Sequence, residues 1–454
     1  MRRTRTLRAG ALLFSLALVA TACGGRDEGG SSGGGGEGGG GGSEEAGGID
    51  LSNCPDTNTA GISDDNVITL ASSFPQSGLT SAFAQISKGY KAYFDKLNAE
   101  GGVEIAGESY TIEVVDKDDE YNASKTAQNI NELVGTDGDK AFAVFNVVGT
   151  ANNVTIRDDL NENCVPNLFA ATGSPTWGNP EYPWLVGSTL APYTLETQAF
   201  ATWLEENQPD AKVAMLVQDD DFGDAYEEGL RLAIEGTDIE VVEVATYPAG
   251  SNDVAAQVTS LAASDADAFF NGATLLACPN ALQEADSKGW DVTTFVSGTC
   301  ISKTLMGLAG ESADGVLATT NIKDPQNPAY DEDPAMVEYL ETLAEFGESD
   351  VDPENGIVAY GYTQAALFVH VLEQVDELTR SNVLEALRSI DTADLGLLME
   401  GVQAKMDGET DPFLAENLQL IQYSAANGYF DNVGEIIDFE GKTAEFTPEE
   451  LINN

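Results

Sequence analysis

Few side chains in this sequence could make or break a bond. His370 is the single histidine and sits in "AALFVHVLEQV" between Val369 and Val371, an apolar helical pattern in which an imidazole packs rather than exchanges protons with a substrate. Ser312 in "GESADG" is a near match to a G-x-S-x-G nucleophile turn, but Asp314 stands at the second glycine and no base accompanies it. "DDDFGD" (Asp219 to Asp224) collects carboxylates without the spacing or the glycine position of a calcium loop. "GEIIDFEGKT" sets Gly434 too far from Gly441 for a phosphate loop. The 76 acidic residues could include a glycosidase pair, whose defining separation no sequence gives. The reactive residue types therefore argue against an enzyme, with hydrolysis the catalytic alternative left over.

Charge and length narrow the field further. The chain has 454 residues, enough for two domains with cores, and a formal net charge of −55 with pI near 4.1. Phosphate binding runs on clustered Lys and Arg, so a nucleic-acid partner is excluded. Arg2, Arg3, Arg5 and Arg8 precede "AGALLFSLALVATA", an apolar run too short to span a bilayer, which makes residues 1–22 an export signal. "ATAC" (Ala20 to Cys23) resembles a bacterial lipobox with Ala20 where Leu is favoured. Cys23 is therefore expected to carry lipid and hold the exported chain on the outer face of the cytoplasmic membrane, in the periplasm or at the cell surface. Residues 23–49 are Gly-rich and cannot bury enough apolar surface to fold; as a disordered tether they would span ~30 Å. Cys54, Cys164, Cys278 and Cys300 remain, an even number that suggests two disulfides in an exported chain. The pairing Cys54–Cys164 with Cys278–Cys300 is favoured because each bridge then stays inside one domain. With one histidine and no CxxC pair, neither a metal nor a cofactor is expected.

The elements that must position any site alternate. "NVITLASSF", "YTIEVVDKDD", "AFAVFNVVG", "VPNLFAA" and "WLVGST" read as strands, separated by helical stretches at Ser81 to Asn98, "ASKTAQNINELV" behind a capping Asn122, and "ANNVTIRDDLNEN". The cycle repeats with a helix from Thr194 to Asn207 and the strands "KVAMLVQ", "IEVVEVATY", "DAFFNGA", "TTFVSGT" and "GVLATTNI". This alternation predicts an α/β fold of parallel sheets with right-handed crossovers, and ligands of such sheets sit beyond the carboxyl ends of the strands.

"FPQSG" (Phe74 to Gly78), "YFDKLNAEGGV" (Tyr93 to Val103), "DDEYNASKT" (Asp118 to Thr126), "DDDFG" (Asp219 to Gly223) and "LAGESADGVLAT" (Leu308 to Thr319) occur in order. Together they resemble landmarks of the leucine/isoleucine/valine-type (branched-chain amino acid) periplasmic substrate-binding proteins of ABC transporters. The likeness runs from about Val67 to Thr319 and more loosely to the end. It implies a two-lobed type I periplasmic-binding (Venus flytrap) fold, each lobe a mainly parallel sheet with helices on both faces. Residues 50–65 would be a lead-in, 66–187 with 321–415 the first lobe, and 188–320 with 416–454 the second, "NLQLIQYS" and "GEIIDFEG" supplying its last strands. It also implies a monomeric lipoprotein that captures a small solute in the interlobe cleft and delivers it to an ABC permease. A ligand-sensing lipoprotein without transport is the alternative.

The resemblance assigns candidate ligand-binding residues unevenly. Ser77 and Gly78 match the first loop, and Phe83 falls near a family aromatic. Thr150 takes the place of a family serine at a helix start where, with the amides around Ala151, a carboxylate would meet the positive end of the helix dipole. Ala171, Thr172 and Gly173 would offer backbone groups to the same anion. Phe222 matches an aromatic of the second lobe, and Tyr193 is a further candidate lid. Two positions depart: Thr274 lies where the family has a tyrosine, and Thr299 in "SGTC" where amino-acid binders place an acid for the ammonium. A buried ammonium without a counter-charge is costly. Unless Asp221 or a neighbour substitutes, an amide, a urea-like compound or an apolar carboxylate fits about as well as an amino acid.

Overall fold

The Gly-rich run expected to be disordered ends in structure: β1 (Glu45–Ala46) pairs antiparallel with β2 (Ile49–Asp50), and Ile49 is buried in the first core. The computed structural model describes residues 45–46, 49–50, 54, 58–134 and 140–454; the export signal, Cys23 and most of the tether lie outside the described residues.

Strand β3 (Val67–Phe74) is buried without interruption from Leu70 to Phe74, as a central strand of a parallel sheet must be. It pairs in parallel with β5 (Glu108–Asp118) and β6 (Ala143–Phe145), and β7 (Asn167–Ala170) and β8 (Leu185–Gly187) extend the sheet, while β4 (Val103–Ile105) closes its other edge as a hairpin with β5. The crossovers are α1 (Gln85–Glu100), α2 (Ala123–Val134) and α3 (Thr150–Glu162). Ser81–Ala84, expected to begin the first helix, forms a separate 3-10 turn.

The second sheet runs β10-β9-β11-β12-β13-β14-β15, built from β9 (Lys212–Gln218), β10 (Glu240–Tyr247), β11 (Ala268–Gly272), β12 (Thr293–Val296), β13 (Leu317–Thr320), β14 (Leu418–Ser424) and β15 (Tyr429–Ile437). The first five are parallel and the last two antiparallel. Side chains alternate faces at period two. Val213, Met215 and Val217 join the core under α4 (Tyr193–Asn207) and α5 (Asp221–Ala233), whereas Ala214 and Leu216 join the one under α6 (Ala255–Ala262) and α7 (Ala277–Ser287). The helix α8 (Lys303–Ala309) completes that lobe, and α9 (Pro334–Phe346), α10 (Gly356–Leu372) and α11 (Arg380–Arg388) return to the first.

The crossings between lobes are tied together. Asn321 Nδ2 donates to Thr189 O at 2.5 Å, Gln364 Nε2 to Thr189 Oγ1 at 2.7 Å, and Met399 N to Asn321 O at 3.0 Å. Each disulfide, Cys54–Cys164 and Cys278–Cys300, lies within one lobe, with Cα separations of 5.5 and 6.2 Å. The last residues do not stay with the second lobe: α12 (Glu449–Ile452) lies against the turn Pro175–Gly178, and Arg157, stacked over Tyr182, donates from Nη1 to Asn454 O at 2.7 Å. A nearly buried guanidinium needs an acceptor, and the chain end supplies one. No helix among the described residues is long and apolar enough to cross a membrane.

Two glycines fix how α1 and α10 meet. A Cβ on Gly89 would fall 2.0 Å from Val358 O, and one on Gly361 2.0 Å from Ile86 O. Both obstacles are helix backbone, so accommodation means separating the helices. Gly361→Ala is expected to lower unfolding stability in chemical denaturation by about 3 kcal/mol or more. Gly307→Ala on α8, where nothing lies within 4 Å, should leave it unchanged or raise it by about 0.5–1 kcal/mol.

Candidate functional site

After β6 the chain turns through Gly149, at φ +101°, into α3. The first intrahelical bond is Asn153 N to Gly149 O at 3.1 Å, and no side chain caps the helix, so the amides of Thr150, Ala151 and Asn152 are the donors this helix start leaves over. Gly149 is required here, because a Cβ would lie 2.8 Å from the Tyr121 ring. Tyr121 is placed by Asp119, fully buried, which accepts from Tyr121 N at 2.8 Å, Ser73 Oγ at 2.9 Å, Thr126 Oγ1 at 2.9 Å and Asn152 Nδ2 at 3.4 Å. Burial pushes the Asp119 carboxyl above its ordinary range although every one of these donors opposes the shift.

This helix start opens on a cavity of about 140 Å³ between the lobes. Engineered apolar cavities of roughly that size hold a six-carbon ring. Phe83, Thr150, Ala171, Thr172, Tyr193, Phe222, Thr274 and Thr299 all line it. Thr150 and Thr172 hydroxyls are 2.6 Å apart, and Tyr193 OH donates to Thr172 Oγ1 at 3.1 Å. Opposite, Leu275 of the second lobe, at φ +50°, is buried in the apolar cluster that holds Phe83.

Four expected residues are elsewhere. Ser77 is exposed and donates to Asp118 Oδ2 at 2.5 Å, and Gly78 beside it, at φ +81°, serves an exposed turn. Ala151 is half-buried outside the cavity wall; Gly173 lies under Tyr193, where a Cβ would be 2.3 Å from Ala191 O. The backbone donors expected of Ala171 and Thr172 are spent on Val147 O and Ala170 O, both at 2.8 Å, so Thr172 contributes its hydroxyl instead. Tyr193 is no exposed lid: it is packed 5.0 Å from Phe222 and 4.7 Å from Tyr226 by ring centroids, because α4 begins directly beneath the hinge.

The residue sequence reasoning missed is Glu196. One helical turn after Tyr193, it shares that residue's buried face, and the i, i+3 spacing in "YTLE" was the available signal. Its Oε2 accepts from Gly298 N at 2.8 Å and Tyr226 OH at 3.1 Å; Tyr226 in turn bonds Ser297 Oγ at 2.7 Å, and Ser297 bonds Thr299 Oγ1 at 2.9 Å. Its Oε1 faces Gly298, where a Cβ would lie 2.8 Å away. Burial pushes Glu196 up to about 8. Asp221, the substitute acid expected from sequence, is exposed, while Asp220 caps α5 by accepting from Gly223 N at 3.4 Å. Thr274 Oγ1 and Thr319 Oγ1 are buried in the cavity wall with no protein partner among the described residues.

Other reactive groups are engaged in structure. His370 is half-buried in the last turn of α10, and Ser312 Oγ donates to Asp286 Oδ2 at 3.4 Å. Asp411, Glu416 and Glu440 have ligand-type atoms within 4.8 Å of one another. Glu416 already accepts from Gly441 N at 2.8 Å and Thr443 N at 3.0 Å, and Lys405 pairs with Glu440 at 3.1 Å. Burial and then the Glu416 charge push Asp411 up to about 7, so this cluster sheds charge by holding a proton.

Comparison with known proteins places this geometry. A family described as Periplasmic binding protein matches residues 67–425. The Leu/Ile/Val-binding protein homolog 6 of Brucella melitensis is 27% identical over 253 residues, 52% of this chain and 60% of that relative, so the chain spans about three-fifths of its length. A branched-chain amino acid ABC transporter structure from Thermus thermophilus with bound valine is 20% identical, with TM-score 0.72 over 82% of this chain and 96% of that one. A fatty acid ABC transporter substrate-binding protein from Thermomonospora curvata is also 20% identical, with TM-score 0.72 over 87% and 99%.

The Glu196 shift has a consequence for stability. The native protein holds a proton that the unfolded chain, with an ordinary value of 4.5, gives up; the contribution is full below that value and is lost as pH rises to about 8. Glu196→Gln keeps the hydrogen-bonded shape without the titration. Thermal unfolding of the solute-free proteins at about pH 5 and about pH 8 should show wild type losing stability across this window and the variant losing less.

Proposed function

Because this chain belongs to the periplasmic binding protein family, we propose that it is an extracytoplasmic receptor which captures a small carboxylate solute in its interlobe cavity and delivers it, unaltered, to an ABC permease. The observation that carries this reading is the uncapped start of α3 opening on a largely apolar cavity. The uncapped amide of Thr150 and the Thr150 and Thr172 hydroxyls, which line the cavity, can meet a carboxylate there, assisted by the helix dipole. The ligands named for two proteins of this fold, valine and a fatty acid, differ in size but share a carboxylate on an apolar body.

Glu196 supplies the counter-charge for an α-amino acid that the sequence did not show at Thr299. An ammonium group placed at its Oε1 would draw off the proton that burial holds there, and the pair would satisfy each other. Solute bound to the first lobe and touching Glu196, Phe222 and Thr299 of the second favours the closed arrangement in which Leu275 is seated. That closed form is the one a permease would recognise. Lipid on Cys23 would hold a monomeric receptor at the membrane, the Gly-rich run giving it reach.

Calorimetric titration with amino acids, amides and small carboxylates tests the reading. A carboxylate solute is expected to bind, and Thr150→Ala to weaken it by about tenfold or more, the loss expected of a hydrogen bond to a charged group. An unchanged dissociation constant would remove Thr150 from the site. Turnover of any bound solute would overturn the receptor reading itself.

A further inference from the structure

The two ends of the cavity differ in what they leave unpaired. At the α3 end, the amide of Thr150 and the Oε1 of Glu196 have no protein partner among the described residues. At the hinge end the wall is Ile322, Ile357, Met399, Leu418, Ile421 and Phe430, drawn from a lobe crossing, the start of α10, the loop before the third crossing and the last two strands. The polar groups mixed among them are already engaged. Lys323 Nζ is held by Asp333 Oδ2 and Gly396 O, both at 2.7 Å, Asp324 Oδ1 accepts from Gln326 N at 2.9 Å, and Asn432 Nδ2 donates to Tyr330 OH at 3.3 Å. Thr319 Oγ1 is the exception on this side.

The wall at this end is thin. Lys323, Tyr330, Met399 and Asn432 line both the cavity and a separate open groove of about 730 Å³. Met399 is the apolar member with no branch, the side chain that yields most readily to a neighbour.

Resting on the reading of the chain as a carboxylate receptor, we propose that the hinge end is a subsite for an unbranched aliphatic tail. The solute is then an amphiphile, its carboxylate at α3 and its chain running along the hinge toward Met399. The cavity limits the enclosed chain to roughly six carbons, by comparison with cavities that hold a six-carbon ring. A longer tail must displace Met399 to enter the groove behind.

The test is a series of straight-chain monocarboxylates from three to twelve carbons, titrated calorimetrically into the full chain. Affinity is expected to rise about fourfold per methylene until the chain meets the Met399 wall, and then to level off. Met399→Ala should move the break to longer chains and Met399→Trp to shorter ones, read as the ratio of eight-carbon to four-carbon affinity. Should the tryptophan variant fail to fold, the wild-type series and Met399→Ala decide. Affinity that stays flat or falls with length while a short carboxylate or amino acid binds sinks the tail subsite and leaves the receptor reading standing, as does one break shared by all variants. Failure of every carboxylate and amino acid to bind removes both.

Discussion

A carboxylate with no access to water must be met on every side by donors, and Asp119 meets that requirement by drawing four segments to one point. Its partners come from β3 (Ser73), the corner after β5 (Tyr121 N), α2 (Thr126) and α3 (Asn152). Removing any of them would leave part of a buried charge uncompensated, at a cost of order 1–3 kcal/mol for each lost bond. The geometry is therefore narrowly determined. It seats the Tyr121 ring against Gly149, at the turn into α3, whose start carries no side-chain cap. The anion site proposed at this helix start would use a backbone donor, which has no rotamer to adjust, so its shape would depend on this corner being rigid.

The second lobe solves the opposite problem. Where α3 presents donors, α4 presents a buried acid, and the Glu196, Tyr226, Ser297 and Thr299 chain of hydrogen bonds fixes it. Gly298 is needed for the same reason as Gly149: a side chain there would occupy the space of the functional group beside it. The bridge from Cys278 to Cys300 ties this turn to the start of α7. Each lobe thus carries one rigid half of a polar site, and the tie among Thr189, Asn321 and Gln364 lets the halves meet in one register.

What was legible in the sequence follows the range of the interaction. The alternation of elements, the cap at Asn122 and the turn after α1 are local, and they can be read directly: Asn98 exchanges bonds with Ile112 at 2.8 and 2.9 Å, and Gly101 and Gly102 take positive φ to end the helix. Thr150 was reached through the resemblance, as the counterpart of a family serine at a helix start, and it lies in the cavity wall. Glu196 was not legible, because an acid in the first turn of a helix is usually a solvated partner of the dipole; only the packing of α4 against Gly298, 102 residues later, buries it. Ser77 shows the converse error, a small polar residue in the right loop that turns outward to Asp118. The apolar hinge end was equally hidden, since its residues are scattered over more than a hundred positions and each reads as ordinary core.

A net charge of −55 does not by itself oppose the carboxylate ligand proposed above, because distance and protonation remove the conflict. Charges on the outer surface are screened over ~8 Å at physiological salt, whereas the α3 amides act within hydrogen-bonding distance. Among the acids lining the cavity, Asp324 has its oxygens engaged by backbone donors, and Glu196 holds its proton until about pH 8. Near neutrality the empty site is therefore not repulsive where an anion would sit. A plain carboxylate finds Glu196 uncharged, and an amino acid recruits its charge by bringing an ammonium. On the proposed reading, the same buried acid would serve either ligand, with the proton it keeps or loses making the difference.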